Sequence, residues 1–387
     1  MIPIDNDFLT QTLVDLVRID SSNPSLSIHG AGEAEIGAYV AGVLQALGLE
    51  VHLHELAPGR VNVVGILPGA GWGRSLMWNA HMDTVGVEGM PAPFSGEVRN
   101  GRLYGRGSQD MKGSLAAMLA AAKALVDAGV ELGGDLILTG VADEEFASLG
   151  TADILRRYRA DAAIVTEPTD LALGLAHRGF IWYEIETFGR AAHGSRYNEG
   201  IDAILHMGRF LERLEKLEKE LRLRPPHPLA GPPSLHASLI KGGSEWSIYP
   251  AHCTLQVERR TSPGETLAQV TQEFQSILDE LARQDPAFRA TLRQDLDRSP
   301  FEVSPQAPIV ASLQNVMQRR FNRPPAVVGA SFWTDAALLA DAGIPSVLLG
   351  PIGGGLHSAE EWVELESVAS LAQILADAAL EFCNSEQ

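Results

Sequence analysis

The stretch Ser75-Leu76-Met77-Trp78-Asn79-Ala80-His81-Met82-Asp83-Thr84-Val85 decides how the chain is read. A mostly apolar run, with a strand expected over 76–80, ends in a histidine and an aspartate two residues apart. On an extended backbone, positions i and i+2 point to the same side. Asp83 can then accept a hydrogen bond from one ring nitrogen of His81 while the other faces a metal ion, the common support for a ligating imidazole. His-x-Asp occurs often by chance, so the remaining ligands must come from elsewhere in the chain.

Working outward, acids recur at the ends of apolar runs. Gly105-Arg106-Gly107-Ser108-Gln109-Asp110 leads into an Ala/Leu-rich run over 111–129 that is apolar on most faces. This places Asp110 at the N-terminus of a buried helix, where the dipole and free N–H groups favour an ionised carboxylate. The run 136–141 leads straight into Asp143-Glu144-Glu145, and 162–166 into Glu167-Pro168. Strands ending in acids, with helices between them, define an α/β fold with an open, mostly parallel or mixed sheet that carries its chemistry at the strand carboxyl ends. Gly69-Ala70-Gly71-Trp72-Gly73-Arg74 lacks the last glycine and the following helix of a nucleotide loop. Lying between strands expected at 61–67 and 76–80, it reads as a hairpin loop.

The pattern changes near residue 178. Strands at 180–187, 235–240, 253–259 and 289–296 and helices at 201–221 and 265–283 follow in β-α-β-β-α-β order, which suits a small antiparallel sheet with two helices on one face. The α/β style resumes after Ser299-Pro300. The expected organisation is therefore one α/β domain, 1–177 and 297–387, interrupted by an inserted α+β, ferredoxin-like domain at 178–296.

Composition narrows the classes of function. The chain has 387 residues, 45% hydrophobic and 20% charged, and carries a formal charge of −19. A surface this acidic repels phosphate backbones, so no nucleic-acid partner is expected. Only two cysteines are present, Cys253 and Cys383, in no CxxC pattern, which fits a reducing compartment and excludes a thiolate metal site. The start has no basic n-region or apolar h-region, and no uncharged run reaches the ~18 residues of a membrane span. A cytoplasmic protein without a membrane partner is the expectation.

Five segments now converge: His81-x-Asp83, Asp110, Glu144-Glu145, Glu167 and Leu356-His357-Ser358. Imidazoles with carboxylates and no thiolates suit Zn²⁺ or a similar divalent ion. Two ions ~3.5–4 Å apart need a bridging carboxylate, and a lone acid such as Asp110 is a good bridge. Of the adjacent Glu144 and Glu145, one can bind metal while the other stays free as general base.

Asn79-Ala80-His81-Met82-Asp83-Thr84-Val85, Gly105-Arg106-Gly107-Ser108-Gln109-Asp110-Met111-Lys112-Gly113, Asp143-Glu144-Glu145, Thr166-Glu167-Pro168 and Gly350-Pro351 with His357-Ser358 resemble, in order, the motifs of the M20 metallopeptidase/amidohydrolase family. The resemblance covers essentially the whole chain and implies a zinc-exopeptidase-like catalytic domain with an inserted lid or dimerisation domain. It further implies that His81 and Glu167 bind one Zn²⁺, Glu145 and His357 the other, and that Asp110 bridges them. Asp83 would orient His81, and Glu144 would deprotonate the attacking water and pass the proton to the leaving amine. Two zinc ions per subunit are expected, with Co²⁺ or Mn²⁺ as substitutes, and a homodimer through the inserted domain.

Ala191-Ala192-His193-Gly194-Ser195 is similar to the family motif whose histidine stabilises the oxyanion, a role that tetrahedral amide chemistry requires of some donor. Arg178 and Arg260 match positions that meet a substrate carboxylate, for which a guanidinium fork is suited. Gly353, in the run Gly353-Gly354-Gly355, would let the backbone approach a substrate. The chain departs from the family at Trp246, Tyr249 and Trp333, which make parts of the pocket bulkier and more apolar and weigh against a desuccinylase. The resemblance thus implies a di-zinc amidohydrolase acting on an N-acyl amino acid, in the manner of acetylornithine deacetylase. Carboxypeptidase or dipeptidase action on the same centre is the second reading. The lack of a Gly-x-Ser-x-Gly motif weighs against a serine hydrolase.

Overall fold

The computed structural model of the chain describes residues 2–386. It divides into two compact units, one of Met1–Leu175, Val303–Val328 and Thr334–Gln387, the other of Ala176–Glu302 and Gly329–Trp333.

The first unit is built on strands that are mostly apolar and buried throughout. Leu76–His81, Leu136–Val141, Ala162–Val165 and Ser346–Leu348 are buried at every position, as strands covered on both faces must be. Leu76–His81 lies parallel between the other two long runs, with His81 opposite Val141 and Asn79 opposite Val165. Ser346–Leu348 extends the sheet, parallel to Ala162–Val165. Because these strands run the same way, the residues that follow them leave one edge of the sheet together: Asp83, Asp143 to Glu145, Glu167, and the segment that carries His357. The helix Gly113–Asp127, almost wholly buried, packs against Asn6–Arg18 and the C-terminal helix Leu365–Cys383.

Two local expectations are corrected. Residues 69–74 do not close a hairpin, because Leu136–Val141 inserts between Arg60–Leu67 and Leu76–His81 and pairs with both. The fully buried 136–141 run gains a partner on both sides there, and the loop instead hydrogen-bonds to Leu132 and Gly133 carbonyls. Asp110 is not the first residue of the helix. Residues 108–112 form a separate turn in which Asp110 is non-helical (φ −120°, ψ 91°), and the regular helix begins at Gly113.

A second, small antiparallel sheet was not foreseen: Gly353–Gly354, Trp362–Glu364, Arg102–Tyr104 and Glu97–Arg99, in that order. It fastens the late segment around His357 to the segment leading into Asp110. Among the described residues no helix is long and apolar enough to cross a membrane.

The second unit is a four-stranded antiparallel sheet, in the order Ser234–Gly242, His252–Thr261, Gly179–Phe188, Arg289–Arg298. Alternation along Gly179–Phe188 sends Ile181, Tyr183 and Ile185 into a core with Phe210 and Phe274 of the helices Ala203–Leu223 and Leu267–Gln284. Asp202 caps the first helix, and Thr266 with Gln269 forms a capping box on the second.

Candidate active site

The carboxylate of Asp110 stands between two imidazoles. His81 Nε2 lies 3.0 Å from its Oδ1, and His357 Nε2 lies 3.4 Å from its Oδ2. Each histidine also has an acid of its own: Glu167 Oε1 is 3.9 Å from His81 Nε2, and Glu145 Oε2 is 3.2 Å from His357 Nε2. Ligand atoms of His81, Glu144 and Glu167 all lie within 4.8 Å of one another, as do those of His81, Asp110 and Glu145. Six side chains singled out from the sequence are therefore brought together.

Asp83 supports this cluster differently from the i, i+2 reading. The Nδ1–H of His81 meets the backbone carbonyl of Asp83 at 2.9 Å, and the carboxylate stands back at 3.7 Å. Freed from the imidazole, that carboxylate accepts hydrogen bonds from Asn23 Nδ2 (2.7 Å) and from the backbone N–H groups of Glu144 (3.1 Å) and Glu145 (3.3 Å). Asp83 thus fixes both the tautomer of His81 and the turn that carries the two glutamates.

Behind that turn lies a buried ionic network that the sequence reading did not anticipate. Arg60 donates to both oxygens of Glu33 (2.6 and 2.8 Å) and to Asp143 Oδ1 (2.8 Å). Glu33 Oε1 accepts the Asp143 N–H, and Asn23 bridges Asp143 and Asp83. Asp143 sits at φ +69°, a conformation asparagine and aspartate tolerate better than most side chains. In the sequence, Arg60 opens the mostly apolar Arg60–Leu67 run with no mark of being buried.

Electrostatics set the cluster apart from an ordinary ion-pair network. Burial, with the Glu167 charge adding to it, pushes the pKa of Glu144 well above the usual carboxylate range. Burial and Asp110 do the same for Glu167, and burial and Asp110 also raise Glu145. Burial opposes charge on His81, yet Asp110, Glu167 and Glu144 lift its pKa well above the imidazole range. His357 is lifted to about 10 by its contacts with Asp110 and Glu145. Burial alone would raise the Asp110 pKa, but the two histidines outweigh it and hold it far down.

These residues fit a pair of divalent cations. Four carboxylates crowd around two imidazoles, and the burial and mutual repulsion that raise three of them are what dications would offset. The buried Oε1 of Glu145 also has no hydrogen-bond partner among the described residues. Hard oxygen donors with imidazole nitrogen and no thiolate are suited to zinc, cobalt or manganese.

Gly353 belongs to this unit, and a Cβ there would come within 2.6 Å of Gln109 Cγ and of the Trp362 carbonyl. The close approach made by its backbone is thus to the residue preceding Asp110. His193, Arg178 and Arg260 lie in the second unit. Arg178 Nε donates to the Ala230 carbonyl (2.7 Å), and Arg260 Nη2 to the Ser331 carbonyl (3.0 Å). The neighbouring Arg259 faces the opposite way, wholly buried against Glu265 and Glu273, so alternation separates a core arginine from an accessible one. His193 is exposed; its Nδ1 lies 2.8 Å from Ser195 Oγ and 3.2 Å from the Ser195 backbone nitrogen. Of the pocket aromatics, Trp246 is fully exposed, and Trp333 donates its indole N–H to the Ser299 carbonyl (3.1 Å).

Both the fold and the cluster are those of a metal-dependent hydrolase of C–N bonds. The chain belongs to peptidase family M20/M25/M40, whose pattern matches residues 77–381. It is 31% identical over 386 residues to the N-formyl-4-amino-5-aminomethyl-2-methylpyrimidine deformylase of Bacillus subtilis, covering 91% of this chain and 90% of that one. It is 30% identical over 393 residues to the acetylornithine deacetylase of Myxococcus xanthus, covering 97% of each. Among solved structures, an aminopeptidase from Bacillus cereus superposes with a TM-score of 0.81 over 99% of this chain and 100% of that one, at 18% identity.

Proposed function

We propose that this chain is a two-zinc amidohydrolase that releases the acyl group of an N-acyl amino acid. The observation that carries the two-ion reading is the stance of Asp110, one oxygen towards each histidine, with a second acid beside each ring. His81 and Glu167 would hold one ion, His357 and Glu145 the other, and Asp110 both. When bound, the ions would polarise the amide carbonyl and acidify the attacking water.

Glu144 is the general base. It lies beside His81 and Glu167 without being needed as a ligand, and its raised pKa suits a carboxylate that must take up a proton and then release it. It takes the proton from the water as the C–O bond forms and delivers it to the nitrogen as the C–N bond breaks. The Asp83 carboxylate holds the Glu144 backbone throughout. His193 is assigned as donor to the oxyanion on the strength of the Ala191–Ser195 motif. Arg178 and Arg260 are assigned to the substrate carboxylate, and the inserted unit to homodimerisation, testable by light scattering in solution.

The likeness to an acetylornithine deacetylase over 97% of both chains supports an acetylated amino acid as substrate. The likeness to a deformylase supports a second reading, a formyl group on an amine without a carboxylate. Hydrolysis of N-acetyl amino acids, N-formyl arylmethylamines and dipeptides by the zinc-loaded protein separates them. Turnover confined to the acetyl amino acids is expected, and turnover confined to formyl amines or to dipeptides would overturn the first reading.

A further inference from the structure

The chain holds a second buried acid–arginine pair whose partners are neither ligands nor substrate groups in the reading above. Glu361 is 1% exposed and accepts four hydrogen bonds. Its Oε1 takes the backbone N–H groups of Gln109 (2.9 Å) and Asp110 (3.1 Å), and its Oε2 takes the Gly107 N–H (3.0 Å) and Arg106 Nη1 (2.7 Å). Arg106 spends its other donors on the Gly86 carbonyl and the Ser358 carbonyl, both at 3.0 Å. One buried pair therefore ties together the loop before His357's neighbour Ser358, the turn carrying Asp110, and the 86 loop.

What is gripped is the main chain of Asp110, which leaves both of its carboxylate oxygens free for the histidines. The helix that follows cannot do this, because it starts only at Gly113. His357 has greater need of such support than His81. Its side chain is 53% exposed, its backbone has φ +55°, and its loop is otherwise braced by Ser358 against the Gly355 and Glu360 carbonyls and by the pairing of Gly353 and Gly354 with Val363 and Trp362.

We propose that Glu361 is a positioning residue that registers Asp110 against the His357 loop and so sets how tightly the ion on the His357 side is held. This rests on the two-ion reading. Supporting groups of this kind typically change metal affinity ~10–100-fold when altered.

The test is Glu361→Gln, which keeps the shape but turns one acceptor oxygen towards N–H groups as a donor. Apo-protein is titrated with Zn²⁺ in competition with a chromogenic chelator, alongside His357→Ala and the double variant. The expected result is a ~10–100-fold weaker second ion in Glu361→Gln, a first ion changed by less than about 3-fold, and no further loss when the change is added to His357→Ala. Wild-type affinity for both ions, even with a lowered Tm, would overturn the proposal by leaving Glu361 a merely structural role. If Glu361→Gln does not fold, Arg106→Lys is titrated instead, since a lysine cannot reach Glu361, Gly86 and Ser358 at once. Unchanged affinities there overturn the proposal equally. A wild type that binds a single ion would overturn the two-ion reading itself, a result distinct from a wild type that binds two and a variant that binds them equally well.

Discussion

His81 ends a strand in the middle of the sheet and is 1% exposed, whereas His357 sits on a loop at positive φ with a side chain 53% exposed. The first is placed by sheet register and by the Asp83 carbonyl, and its partner Glu167 also follows a central strand. The second depends on a loop, a small sheet and a buried ion pair between segments about 250 positions apart. One half of the site is thus organised by the core of the fold and the other by late, local fastenings. The His81 half should keep its geometry without metal, and the His357 half should be the one that metal occupancy and mutation loosen.

The largest effect is expected at Glu144, which stands beside His81 and Glu167. Glu144→Gln should lower kcat by ~10²–10⁴, the scale of general-base loss, while two ions remain bound. Retained turnover, or lost metal, would show that Glu144 serves as a ligand instead. Next, Arg60→Met leaves Glu33 and Asp143 buried without their cation, and a stability loss of ~3–5 kcal/mol is expected in urea unfolding. An unchanged midpoint would mean that the network behind the glutamates carries little of the first half's order.

Alanine at each histidine in turn separates the two halves of the site. His81→Ala should remove its ion and also lower the Tm of the apo-protein, because it empties a buried position. His357→Ala should remove its ion and lower the apo Tm by less than His81→Ala does, because its side chain is half exposed. Equal Tm losses would erase the distinction between the halves.

The smallest effect concerns pH. In the metal-free protein His357 is raised to about 10 by Asp110 and Glu145, with burial opposing. A histidine whose folded pKa lies above its unfolded value of about 6.5 adds stability in full below that value and loses it as pH rises through the folded pKa. The stability difference between the apo wild type and apo His357→Ala should therefore shrink between pH 6.5 and 10, as read by urea unfolding at both ends. A constant difference would contradict the contacts drawn between His357 and its two acids.

The parallel sheet and the acids at its edge were legible because buried strands are continuous apolar runs, and the residue after each run is marked by a sudden charge. Asp83 was legible as a partner of His81 but not in its manner, since sequence cannot distinguish a carbonyl from the carboxylate on the same residue. Residues 69–74 misled because adjacency in sequence suggests a hairpin, while burial of the 136–141 strand demanded the place between its two arms. Arg60, Glu33, Arg106 and Glu361 stayed hidden for a different reason. Their partners are distant, Glu361 standing 252 positions from Gln109, and a lone charge in a sequence carries no sign of being buried.

The central claim is that Asp110 bridges two ions. Elemental analysis of zinc-loaded, desalted protein tests it most directly, with wild type and Asp110→Asn measured side by side. The account predicts two zinc ions per wild-type chain and a loss of at least one in the variant. A single ion in the wild type, or two retained in Asp110→Asn, would contradict it.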